Sequence, residues 1–373
     1  MNATRADSLG IDIAEIEERL ADNWSLPTRF YHDPAFFDFE MEAIFARNWL
    51  YFGSVHQVAK PGDVLVRKMG RWPIVVTRDR AGQLHAFLNI CRHRGYTVAE
   101  GSRSNCLRLV CRYHAWSYNL DGSLANAPDA AGEEGFCKDE LGLIPVAIEQ
   151  WGPALFVNPD ADAAPLAHFW GEGHARSDAE GLAPDPGEFE LVREVIYDVE
   201  TNWKLWYDNG AECYHCPWIH GKSFADAYLS DAGTYETELG PNFTFNMYHG
   251  KPREGANVRP ASDNPVLQGF PGFVGFGDGD ILHHAGMVPV APDRTRHITH
   301  YYARPGTDPD YVKAWCDLWD QTYLEDNVVT ADQHRNLASG GQPWNRYVNG
   351  REFGAQHISR EIWRHYKEAL GVA

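Results

Sequence analysis

The 373-residue chain carries 33 Lys and Arg against 52 Asp and Glu, a formal net charge of −19 with its 17 histidines neutral. That balance argues against a partner with a phosphate backbone, which needs a basic face. With 44% hydrophobic and 13% aromatic residues the chain is not disordered, and its length suits two domains of ordinary size.

The first 30 residues hold acids throughout and no apolar run of signal-peptide length, and no later stretch reaches the ~18–20 uncharged residues of a membrane span. A cytoplasmic protein with no membrane partner is expected. Seven cysteines at irregular spacing fit thiols or metal ligands in a reducing compartment better than a disulfide framework. Ile11, Ile13, Ile16 and Leu20 recur near a helical period, and Asp33-Pro34 opens a second helix. From Leu50 to Asn158 come short β-type runs (YFGSVHQV, DVLVRKM, PIVVTRD, LHAFLNI, LRLVC, ALFVN) separated by turn residues, which predicts a small all-β domain. The Ala-, Gly-, Asp- and Pro-rich stretch 160–190 reads as a surface connection. A strand over 191–200, a helix around Asn202–His215, strands at Phe243–His249 and His297–Ala303, and two C-terminal helices complete an α+β second half.

Two groups of residues carry chemistry. Cys91-Arg-His93 and Cys111-Arg-Tyr-His114 each place a thiolate and an imidazole where one loop can present both. Two cysteines and two histidines suit tetrahedral zinc, or a Rieske 2Fe–2S centre with the cysteines on one iron and the histidines on the other. The order Cys-His-Cys-His, inside a domain large enough to fold without metal, favours the cluster. In NWKLWYDNGAECYHCPWIH (202–220), Glu212 and His215 lie about 60° apart on a helix, whereas His215 and His220 lie about 140° apart. Pro217 ends the helix and lets the next turn bring His220 back. Two histidines and a carboxylate on one open face suit non-haem Fe(II). Cys213 and Cys216 form a lone C-x2-C, read as ordinary thiols packed behind this helix rather than as zinc ligands or a redox dithiol.

CRHRG followed by CRYHAWSYNLDG resembles the Rieske motif of the ring-hydroxylating oxygenase α subunits, departing from it at Arg112 and Ala115, where proline and glycine are usual. The 202–220 segment is similar to their mononuclear-iron motif, N-W-K…E/D-x-x-H-x4-H. The resemblance implies an α+β fold: N-terminal helices (1–45) packed on the catalytic domain, an all-β Rieske domain (46–160), and a catalytic domain (161–373) with an antiparallel sheet flanked by helices. It implies Cys91, His93, Cys111 and His114 as cluster ligands, and His215 and His220 as iron ligands. The acidic pair of YLEDN gives the third iron ligand as Asp326, with Glu325 the alternative. Glu212 is then the acid bridging an iron-ligand histidine to His114 of the partner subunit, in a head-to-tail homotrimer, and Asp208 a further polar group behind the ligands. With neither a dinucleotide fingerprint nor a flavin motif, electrons from NAD(P)H come through a ferredoxin, a flavin reductase or both, and O2 is the co-substrate. Glu212 in place of aspartate, with E-C-Y-H-C, resembles the choline, betaine and carnitine oxygenase branch, which implies monooxygenation or N-dealkylation of a small N-alkyl or aromatic molecule. Aromatic-ring cis-dihydroxylation and a non-enzymatic Rieske electron carrier are the competing readings. Tyr228, Phe243, Phe245, Tyr248, Phe270, Phe273 and Phe276 are candidate pocket aromatics able to hold an ammonium by cation–π contact.

Overall fold

The computed structural model describes residues 3–130, 132–221, 223, 228–229, 235–249, 251–252 and 263–372. Asp12 caps α1 (Ile13–Ala21) by accepting from the Glu15 N–H, and the helix buries Ile16 and Leu20 on one face. Asp33 caps α2 (Pro34–Glu40) with proline in its first turn, and one π-helical turn follows at Met41–Phe45.

Nine strands make up the β domain: β1 (Leu50–Ser54), β2 (Val64–Met69), β3 (Trp72–Arg78), β4 (Leu84–Leu88), β5 (Leu109–Val110), β6 (Ser117–Tyr118), β7 (Leu124–Asn126), β8 (Pro145–Trp151) and β9 (Ala154–Asn158). Six form a sheet in the order β1-β9-β8-β4-β3-β2, and β5-β6-β7 form a second, small one. The expected runs are present, but Val55–Val58 is a 3-10 turn and β8 was not foreseen. Its mixed burial hides the alternation that would have marked it as a strand. Residues 160–190 are more than a surface connection. They form two short helices, Leu166–Trp170 and Glu172–Ala179, because Leu166 and Trp170 are buried, Trp170 against Trp151, Phe156 and Phe273.

The second half builds a seven-stranded antiparallel sheet. Its strands are β10 (Glu190–Val199), β11 (Tyr235–Gly240), β12 (Phe243–His249), β13 (Asp263–Gly269), β14 (Phe273–Gly277), β15 (Ile281–Ala291) and β16 (Arg294–Ala303), in the order β10-β16-β15-β14-β13-β12-β11. Between β10 and β11 runs α3 (Trp203–Gly210), with Asn202 as its cap. The long α4 (Pro309–Ala338) and the C-terminal α5 (Phe353–Leu370) both pack on α3. The result is the expected α+β architecture. Among the described residues no helix is long and apolar enough to cross a membrane.

Candidate active site

The two Cys-His loops are built alike. Cys91 N–H donates to the Tyr96 carbonyl and Gly95 N–H returns to the Cys91 carbonyl; Cys111 N–H donates to the Trp116 carbonyl and Ala115 N–H returns to the Cys111 carbonyl. Gly95 sits at φ 74° and Ala115 at φ 57°. This left-handed turn explains why glycine is the usual residue at Ala115's place, since a Cβ there costs about 1 kcal/mol. Both thiols are free and buried, at 3% and 2% exposure, while His93 and His114 are exposed with ring centroids 4.6 Å apart. Trp116 stacks on His93 at 4.8 Å, and the Tyr118 hydroxyl lies 3.3 Å from the Cys91 sulfur. Desolvation, with the Arg94 charge nearby, holds His114 below the usual imidazole range. Two inward sulfurs and two outward imidazoles fit a Rieske cluster, which needs soft ligands inside and histidines at the surface.

The second site departs from the helical expectation. α3 stops at Gly210, so Glu212 and His215 are not on a helix. The Glu212 carboxylate accepts from the N–H groups of Tyr214 and His215 and thereby replaces helical bonds. Pro217, expected to end the helix, opens a short one, Cys216–Ile219. Cys213 and Cys216, expected as thiols, are joined in a disulfide around His215: the tight turn brings their Cα atoms to 5.0 Å, within disulfide range.

Each imidazole is held by a carboxylate at its outer nitrogen. Glu212 Oε1 is 2.5 Å from His215 Nδ1, and Glu325 Oε2 is 2.9 Å from His220 Nδ1 while also accepting from the Ser223 hydroxyl at 2.6 Å. With the protons outside, both Nε2 lone pairs face inward. They lie 3.2 Å apart, and Asp326 Oδ1 lies 3.5 Å from His215 Nε2 and 3.1 Å from His220 Nε2. Donors held about 2.1 Å from one ion at roughly 90–110° stand about 3.0–3.4 Å apart, so this triangle fits a single small cation. Asp326 is 6% exposed and its Oδ1 has no hydrogen-bond partner among the described residues, the orphan expected of a ligand atom. Burial lowers both imidazoles, yet Asp326 and Glu212 raise His215 to about 10 and Asp326 with Glu325 raises His220, so a cation entering the triangle would displace protons from the inner nitrogens. Cys216 also lies near the two histidines, but its sulfur is tied up in the disulfide, which leaves Asp326 as the third donor.

The geometry separates the acidic pair, with Asp326 facing the histidine nitrogens and Glu325 positioning His220. Asp208, expected behind the ligands, points elsewhere. Its Oδ2 is 3.4 Å from the hydroxyls of Tyr31 and Tyr347, and the residue beside His215 is Asn209, whose Nδ2 is 3.4 Å from Nε2. Burial pushes the Asp208 carboxyl up to about 8 against the pull of Lys204 and the two tyrosines. The folded state therefore holds a proton that the unfolded chain releases near pH 4, so this group's contribution to stability falls as pH rises from about 4 to 8. We expect Asp208→Asn to remove a slope approaching 1.4 kcal/mol per pH unit from the unfolding free energy measured by denaturant titration between pH 5 and 8. An unchanged slope would place the proton elsewhere.

A cavity of about 660 Å³, mouth included, opens onto the triangle; its walls include Trp206, Tyr248, Val266, Phe276, Trp319 and Tyr323. Of the candidate aromatics only Tyr248 and Phe276 line it. Phe243, Phe245, Phe270 and Phe273 belong to the hydrophobic core, and the Tyr228 side chain lies outside the described residues. Nothing in the local sequence singled out Asn209, Ser223 or the cavity residue Asn264, which reach the site only through the fold.

A Rieske-type loop pair in one domain and an iron-fitting His-His-Asp triangle under a cavity in the next define an oxygenase with two metal centres. Residues 48–145 match the Rieske [2Fe-2S] domain family and residues 186–368 the ring hydroxylating alpha subunit catalytic domain. The choline monooxygenase (chloroplastic) of Atriplex hortensis is 30% identical over 345 residues, 91% of this chain and 77% of the relative. The glycine betaine monooxygenase oxygenase subunit of Chromohalobacter salexigens is 37% identical, over 91% of this chain and 85% of the relative. Among solved structures, the quaternary ammonium Rieske monooxygenase CntA in complex with an inhibitor superposes with a TM-score of 0.82 at 26% identity, covering 94% of this chain and 98% of that one. The chain belongs to the ring-hydroxylating α-subunit family of Rieske non-haem iron oxygenases, whose domains imply a Rieske cluster and a mononuclear iron.

Proposed function

We propose that this chain is the terminal oxygenase of a multicomponent monooxygenase that acts on a small cationic N-alkyl substrate, works in the cytoplasm, and draws electrons from NAD(P)H through a separate flavin reductase, with or without a ferredoxin. One atom of O2 enters a C–H bond next to nitrogen and the other leaves as water, with two electrons and two protons supplied from outside. The resulting hemiaminal then separates into dealkylated amine and aldehyde. The observation that carries this reading is the cavity, in which the His215, His220 and Asp326 donors meet an aromatic wall and two carboxylates, Glu212 and Asp326. Such a wall receives a cation through its π faces and surrounding negative charge. The relatives named for choline and glycine betaine support the same class.

Cys91, His93, Cys111 and His114 would hold the cluster, and His215, His220 and Asp326 the iron. When bound, these groups supply one-electron storage and an open, redox-active position for O2. The chain's own part is to orient. Glu212 and Glu325 fix the tautomers of His215 and His220, the aromatic wall excludes water from the bound substrate, and Glu212 faces His114 of the partner subunit in a head-to-tail trimer.

The test is a single turnover of chemically reduced protein with O2 and a panel of N-alkyl and plain aromatic compounds, analysed by mass spectrometry. Aldehyde with dealkylated amine is expected. Cis-diols from the plain aromatics would move the chain to ring dihydroxylation, and no oxygenated product from fully loaded protein would leave it an electron carrier.

A further inference from the structure

We infer that Asn264 is the polar anchor of the substrate cavity, accepting a hydrogen bond from a hydroxyl or N–H of the bound molecule. The chain then selects a cationic alkylamine bearing a neutral donor over one bearing a carboxylate. This rests on the oxygenase reading above and narrows its substrate class.

Alternation along β13 puts Asn264, Val266 and Gln268 on one face of the sheet. The antiparallel register sets Tyr248 opposite Asn264, Asn246 opposite Val266 and Thr244 opposite Gln268, with Phe276 beside Val266 and Val274 beside Gln268 on the other flank. This face therefore carries three carboxamides, all buried: Asn246 and Gln268 at 0% and Asn264 at 5% exposure. Each has a polar atom without a partner among the described residues, namely Asn246 Nδ2, Asn264 Oδ1 and both polar atoms of Gln268. An unpaired buried amide atom is costly, so each of these needs a partner from somewhere.

The cavity tells the three apart. Asn264 lines it, together with His215, His220 and Asp326, whereas Asn246 and Gln268 do not. Asn246 already receives the Thr237 hydroxyl at 2.8 Å on its oxygen. Among the described residues nothing supplies the partner of Asn264, which points to what the cavity holds, and a carbonyl oxygen asks for a donor.

Charge then limits that donor's surroundings. Among the described residues that line the cavity, the carboxylates are Glu212 and Asp326 and there is no lysine or arginine. A substrate carboxylate seated at Asn264 would set oxygen against oxygen and, among the described residues, find no lysine or arginine in the cavity to pair with. A hydroxyl meets none of these penalties and completes the one open hydrogen bond.

The experiment uses the holoenzyme and three probes that share a trimethylammonium group: 2-hydroxyethyl-, ethyl- and carboxymethyl-trimethylammonium. Binding is read by calorimetry and turnover by aldehyde release. The unsubstituted enzyme is expected to bind the hydroxyethyl probe about three- to tenfold more tightly than the ethyl one, the worth of one neutral hydrogen bond. The carboxymethyl probe should bind more weakly than either. Asn264→Leu should erase the hydroxyethyl preference without weakening the ethyl probe, and Asn264→Ala provides a second removal should the leucine chain fail to fold. Asn264→Asp, which keeps an acceptor in place, should retain the preference. A hydroxyethyl preference that survives in the leucine or alanine variant, or a carboxymethyl probe that binds as well as the hydroxyethyl one, overturns the inference. The expected binding pattern without aldehyde overturns the N-dealkylation reading and leaves the anchor standing. Failure of all three probes to bind overturns both.

Discussion

Glu212→Gln is expected to lower steady-state oxygenation on the order of 100-fold while the cluster spectrum and the iron content stay unchanged. The argument starts from geometry. Glu212 Oε1 lies 2.5 Å from His215 Nδ1, and its other oxygen accepts from two backbone N–H groups, so the carboxylate is fixed between the iron side of the fold and its surface. His114, by contrast, is exposed, and its ring neighbours are His93 and Tyr113 of its own domain. An exposed cluster face and a carboxylate poised at a histidine are what transfer between copies needs. Glutamine keeps the shape but removes the charge that holds the His215 proton outward. The discriminating measurement is a rapid-mixing trace of cluster reoxidation after substrate and O2 meet the reduced enzyme. Reoxidation at the unsubstituted rate would remove Glu212 from the electron path, however slow the overall turnover.

What could be read from the sequence was what lies close together along it. Cys91 with His93, and Cys111 with His114, are presented by single loops closed through local backbone bonds, so their spacing already pointed to a candidate ligand set. His215 and His220 were visible for the same reason. Asp326 was different, because it stands more than a hundred residues away on α4 and only the family's acidic pair pointed to it. Spacing could not say that Glu325, one residue earlier, serves the opposite nitrogen of His220. The helix assumed through Glu212 and His215 failed where a side chain outcompeted the backbone, and that same turn brought Cys213 and Cys216 within bonding distance. Asn264 carried no signal at all. Its meaning depends on which strand face meets the cavity, and that is set by sheet register.

The support beneath the iron site gives the second large effect. Lys204, in the first turn of α3, has its ammonium 2.5 Å from Glu40 Oε1 at the end of α2, and neither side chain is exposed. Glu40 also receives the Trp203 indole N–H at 2.8 Å and the Tyr366 hydroxyl at 2.7 Å, so one carboxylate ties α2, α3 and α5 together. Burial lowers the Lys204 pKa, and Glu40 opposes that shift. Removing either partner leaves the other charge in a dry interior. Lys204→Met or Glu40→Gln alone should therefore cost about 3–5 kcal/mol in denaturant unfolding. The double variant leaves no bare charge and should cost well under the sum of the two, with a coupling energy of about 3 kcal/mol or more in a double-mutant cycle. Because α3 leads directly into the Glu212–His220 segment, the single variants should also lose iron to a chelator faster than the unsubstituted chain while keeping the cluster spectrum. Additive losses below about 1 kcal/mol each would show that apolar packing of Trp203, Leu205 and Trp206, not this buried pair, sets the position of α3.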